Sequence, residues 1–94
     1  MIEIKMSPNA PNIAYKIKEV IEDLTCPENY ALSLQLDYKD VNTIFYLKNV
    51  YGLNFQNEWV EIVQLDNSHA FFEYKHILEY CVLNSDDALD LEEY

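Results

Sequence analysis

Arginine is absent from this chain, and six lysines stand against seventeen aspartates and glutamates, giving a net charge of −11 over 94 residues. That imbalance excludes a protein that grips a phosphate backbone itself, which needs clustered cations. Glycine occurs once, at Gly52; a tightly curled small barrel usually needs several at its corners. No apolar run approaches the roughly 18 residues of a membrane-spanning helix. The opening Met1-Ile2-Glu3-Ile4-Lys5 alternates charged and apolar residues and does not read as a secretory leader. A cytoplasmic protein that does not engage membranes is expected. The two cysteines, Cys26 and Cys81, lie far apart without a CxxC motif. They are expected to be small buried hydrophobes in a reducing compartment, not a bridge.

Catalytic signatures are missing too. There is no GxSxG, HExxH, P-loop or GxGxxG. The only side-chain bases of the histidine type are His69 and His76. His76 and Cys81 are five apart, on opposite faces of a strand, and His69 borders a turn where solvation is expected. Cys26, His69, His76 and Cys81 match no compact zinc spacing. Asp86-Asp87 lacks the glycine and the spacing of a calcium loop. No enzyme, metal or cofactor is expected.

What is present divides into one helix and a run of strands. Ile2, Ile4 and Met6 alternate with Glu3 and Lys5 as a short strand. After the Pro-containing break at 7–11, with Asn9 as candidate N-cap, Ile13, Ile17, Val20, Ile21 and Leu24 form one amphipathic stripe. Cys26-Pro27 is expected to end that helix. Leu32, Leu34, Leu36 and Tyr38 alternate with polar residues as a half-buried strand. Thr43–Val50, β-branched and aromatic, reads as a more central one, with Gly52 allowing a bend or bulge. Glu58–Leu65 and Ala70–Tyr74 flank the turn Asp66-Asn67-Ser68 as a hairpin. Residues 75–83 fit either periodicity, and the alternation of His76, Leu78, Tyr80 and Val82 favours a strand after a tight turn at Lys75-His76. Trp59, among Val60, Ile62 and Val63, reads as core. The expected fold class is α+β: one helix on an antiparallel sheet of about five or six strands, or a curled, small-barrel-like version of it. Residues 1–84 would be the domain and 85–94 an acidic C-terminal tail.

The charge is uneven. Residues 84–94 carry five acids and no cation, interleaved with Leu89, Leu91 and Tyr94. Such a block suits an interaction segment that orders against a basic, partly apolar groove. The net charge also lies outside the window of about 2 to 8 that solubility asks of a small domain. Regularly spaced carboxylates can occupy a cleft built for phosphates, with electrostatic steering between opposite potentials. The expected contact residues are Asp86, Asp87, Asp90, Glu92, Glu93 and Tyr94, with Glu58, Glu61, Glu73, Asp37 and Asp40 spread over the sheet. Glu19, Glu22, Asp23, Asp66 and Glu79 add further charge. Eight tyrosines favour interface contacts. The composition therefore suggests a small acidic inhibitor of a basic nucleic-acid-handling protein, a nuclease or defence effector, of the phage anti-defence or anti-CRISPR type. An immunity protein or antitoxin against a nuclease toxin, and an assembly module forming homo-oligomers, are the alternatives.

Overall fold

The computed structural model describes residues 2–38 and 42–92. Strand β1 (Glu3–Met6) leads into helix α1 (Asn12–Glu22). The helix starts after Pro11, whose extended backbone and missing N–H suit a helix boundary, and no side chain caps it. Asn9 is therefore not the N-cap. The helix ends before the expected Cys26-Pro27 stop, and that pair opens a separate 3-10 turn at Pro27–Asn29. Ala14, Ile17 and Ile21 form its buried line, while Val20 lies at the exposed margin.

Then follow β2 (Tyr30–Leu36), β3 (Thr43–Tyr46), β4 (Val50–Phe55), β5 (Trp59–Gln64), β6 (His69–Glu73), β7 (Ile77–Asn84) and helix α2 (Ser85–Glu92). The strands form two sheets, a four-stranded one in the order β1-β4-β5-β6 and a three-stranded one in the order β3-β2-β7. Among the described residues the pairings are antiparallel except β1 with β4, which is parallel. The architecture is α+β, as expected, but with two helices and seven strands among the described residues in place of one helix on a single sheet.

Two 3-10 turns explain the division. Leu47–Asn49 carries the chain from β3 into β4, and Tyr74–His76 carries it from β6 into β7. Each turn interrupts the ladder where a continuous strand would let one sheet curl into the other, so the described residues form two sheets and no closed barrel. The segment 43–50, expected as one central strand, is split by the first turn, and β3 becomes an edge. The second turn falls where a tight turn before the 75–83 strand was expected. Backbone bonds fasten both corners: Leu65 N–H donates to Asn49 O at 2.8 Å, Tyr74 N–H to Glu58 O at 3.1 Å, and Asp37 N–H to His76 O at 3.0 Å.

One core serves both sheets and α1. Leu53, Phe55, Val60, Ile62 and Phe72 from the larger sheet meet Leu32, Leu34, Leu36, Phe45 and Ile77 from the smaller, with Ala14, Ile17 and Ile21 from the helix. Ile21 and Leu24 line a groove with Ile2 and Ile4, and Ile13 and Lys16 line another with Leu78 and Tyr80. Helix α1 thus bridges the edge strands β1 and β7. The period of two then fixes what faces outward. Central strand β2 is more buried than its alternation predicts, because α2 lies over β2 and β7 and Ser33 is buried with its apolar neighbours.

Gly52 has a specific reason to be glycine. A Cβ there would stand 3.0 Å from the Glu3 carbonyl oxygen across the parallel β1–β4 pair. The β4–β5 register also shifts between Val50 and Gly52, the bulge that glycine suggested. In the β5–β6 hairpin, Asn67 takes a left-handed φ of 70°, a conformation asparagine tolerates, and Asp66 Oδ1 accepts the Ser68 N–H at 2.9 Å.

Candidate functional site

The acidic residues do not gather on one face. The described residues expected as contacts fall into two surfaces on the outer sides of different sheets, plus Asp37 paired with His76, while Glu19, Glu22 and Asp23 belong to α1 and its C-terminal end, Asp66 to the β5–β6 turn and Glu79 to β7.

The first surface is α2. Asn84 Oδ1 accepts the Asp86 N–H at 2.9 Å and so caps the first turn. Asp86 and Asp87 sit in that turn, where carboxylates complement the helix dipole. Ala88 is 0 % exposed and anchors the helix on β2 and β7. At the far end the Tyr46 hydroxyl donates to Glu92 Oε2 at 2.5 Å. That bond, followed by desolvation and the Glu92 charge, pushes the Tyr46 pKa up to about 12. Residues 85–92 of the segment expected as an acidic tail are therefore a docked helix. Asp86, Asp87 and Asp90 are exposed on it, spaced one, three and four residues apart, beside exposed Leu89 and Leu91. Among the described residues no lysine pairs with any α2 carboxylate; the three lysine ion pairs are Lys5–Glu3, Lys18–Glu22 and Lys75–Glu73. Glu93, Tyr94 and Asp40 lie outside the described residues.

The second surface is the outer face of the four-stranded sheet. Register sets Glu3 beside Gly52, Lys5 beside Asn54, Asn54 beside Glu61, Glu61 beside Phe71, Val63 beside His69 and Trp59 beside Glu73. Glu61 is the polar centre: its Oε1 accepts Asn54 Nδ2–H at 2.7 Å, and its Oε2 lies 2.7 Å from His69 Nδ1. Those two bonds, Asn54 first, hold the Glu61 carboxyl below its ordinary pKa. The Glu61 side chain is only 16 % exposed, whereas the neighbouring Phe71 is 58 % exposed. Trp59 meets Phe71 edge-on at 5.4 Å between ring centroids, and the His69 ring lies nearly parallel to Phe71 at 6.5 Å and 16°. Glu73 is an exposed partner of Lys75 at 3.1 Å, and exposed Glu58 lies at the β4–β5 turn.

Asp37 belongs to neither surface. Its Oδ1 lies 2.9 Å from His76 Nδ1, and Tyr38 meets the same imidazole edge-on at 5.1 Å.

Two sequence readings need correction. Trp59 is half-buried on the outer face, not in the core, because it shares the parity of Glu61 while Val60 and Ile62 point inward. His69 is exposed, as expected, and is also bonded to Glu61. Both cysteines are exposed free thiols, not buried hydrophobes. Cys81 falls on the outer parity of β7 opposite Ser33, and Cys26 lies in the turn before β2. Asn54 and Phe71 join the site without a motif of their own: the alternation on either side of the 66–68 turn pairs the outer positions of β5 and β6 and so points to Phe71, whereas Asn54 comes from β4 through the β4–β5 register.

Other features offer little chemistry. A shallow cleft of about 830 Å³ is lined by Cys26, Lys48, Ser85 and Asp86 among others. Among the described residues no three His, Cys, Asp or Glu side chains converge as metal ligands, and no helix is long and apolar enough to cross a membrane. Compared with protein-family models, with characterised proteins and with solved structures, the chain has no match.

Proposed function

We propose that this is a small acidic binding protein that occupies the cationic cleft of a nucleic-acid-handling partner and blocks it, as phage-encoded inhibitors of host defence nucleases do. The carrying observation is α2. Asp86, Asp87 and Asp90 are presented on a helix fixed by the Asn84 cap, the Ala88 anchor and the Tyr46–Glu92 bond, with no lysine paired to them among the described residues. Same-side helical positions lie about 5–6 Å apart, and duplex DNA carries one charge per about 1.7 Å of axis. A cleft that binds phosphates therefore offers several cations within the reach of this helix. Fixing the carboxylates before binding removes part of the ordering cost of an unfolded acidic segment. Exposed Leu89 and Leu91 add apolar contact beside the charge. The reading assigns the protein no reaction.

The test is capture of partners from a bacterial lysate, with the D86N/D87N/D90N/E92Q variant beside the parent. The expected partner is a nucleic-acid enzyme, released by salt, displaced by duplex DNA and lost with the variant. Recovery of the protein alone as a salt-resistant oligomer, or a partner held equally by parent and variant, would overturn the reading.

A further inference from the structure

The outer face of the four-stranded sheet bears the protein's only tryptophan and a largely exposed phenylalanine. A half-buried indole and a largely exposed ring on an outer face add little to the core, and α2 lies on the other sheet. Carboxylates surround it: Glu3, Glu58, Glu61 and Glu73 against Lys5 and Lys75, with both lysines already paired to Glu3 and Glu73. A second copy of this chain, carrying the same net charge of −11, is a poor occupant.

From the Phe71–Glu61 juxtaposition we infer that this face is a receptor for an arginine side chain on a basic protein partner. Phe71 and Glu61 are direct cross-strand neighbours, so a largely exposed ring and a carboxylate whose side chain is 16 % exposed sit side by side, about 5 Å apart at their Cβ atoms. That combination fits a guanidinium, which stacks on a ring while its fork reaches a carboxylate; an ammonium does only the second. His69 already illustrates the chemistry the site accepts: a flat N–H donor, nearly parallel to Phe71, bonded to Glu61 Oε2. Two carboxylate oxygens offer about four acceptor positions, and Asn54 and His69 use two of them. Asn54 fixes the rotamer of Glu61, so the carboxylate is oriented before the ligand arrives. The inference rests on the acidic-inhibitor reading and deepens it, because an arginine contact would add side-chain selectivity to the unselective attraction of α2.

Trp59 makes the test direct, since it is the sole indole and touches Phe71. The full chain is titrated with an arginine–glycine repeat peptide and with a lysine–glycine peptide of equal length and charge, following Trp59 emission. The arginine peptide is expected to bind about threefold or more tightly and to change the emission. Phe71→Leu, which keeps apolar area at an exposed position but removes the ring, is expected to abolish the preference. Glu61→Gln is expected to weaken the arginine peptide about threefold to tenfold. Equal binding of the two peptides, or a preference that survives Phe71→Leu, would overturn the site. The two proposals fail separately. Partner capture that needs the α2 carboxylates but not Phe71 overturns only the arginine site. An arginine preference lost with Phe71→Leu, beside a partner that DNA does not displace, overturns only the nucleic-acid reading.

Discussion

The hydroxyl of Tyr46 on β3 donates to the carboxylate of Glu92 at the end of α2, joining positions 46 residues apart in sequence. Glu92 is at the helix's negative end, where a carboxylate is unfavourable; the phenol compensates by supplying a hydrogen. Tyr46→Phe is expected to loosen the last turn of α2, read as a several-fold loss of amide protection confined to its C-terminal half. The same pair predicts a titration. The folded pKa is raised from 10.0 to about 12, so the bond's contribution is fully present below pH 10 and is lost as pH rises through the folded value. Absorbance of phenolate should show Tyr46 ionising late, alongside Tyr74, which burial alone pushes up to about 12. In Tyr46→Phe one late step should disappear.

Ala88 should be the least replaceable residue of α2. It has no exposed surface against β2 and β7, so Ala88→Leu forces the helix outward, with an expected cost of about 1–3 kcal/mol. Leu89→Ala, on the exposed side, should stay within about 0.5 kcal/mol. Chemical denaturation of the two variants checks the contrast.

Gly52→Ala is expected to destabilise by about 1–3 kcal/mol. The added Cβ meets backbone, the Glu3 carbonyl at 3.0 Å, and backbone in a paired strand cannot swing aside as a side-chain end can. Amide exchange should then place the loss in β1 first.

Glu61 should make stability pH-dependent on the acid side. Its folded pKa lies below the ordinary 4.5 through the Asn54 and His69 bonds. The ionised carboxylate therefore contributes stability above the unfolded value, and the contribution is lost as pH falls through the folded one. Glu61→Gln should be less stable than the parent at neutral pH, with the difference closing as pH drops below 4.5. A difference independent of pH would assign Glu61 a packing role only.

Much of the local structure was legible in the chain. The alternation around Leu32-Leu34-Leu36 and Val60-Ile62, the apolar spacing of 13–24, the turn at 66–68, the bulge at Gly52 and the strand after Lys75-His76 all follow from periodicity and turn chemistry, which neighbouring residues set. The acidity and its concentration in residues 84–94 are likewise properties of composition. Three matters needed the tertiary structure. Residues 85–92 become a helix because Ala88 finds a buried place on β2 and β7, and an eight-residue helix is marginal without such packing. The strands separate into two sheets because the 3-10 turns at 47–49 and 74–76 break the ladders, a break that hydrophobic alternation does not encode. And Glu61, His69, Phe71 and Trp59 share one face only through cross-strand register. Periodicity determines which residues point outward; register between distant strands decides which of them meet.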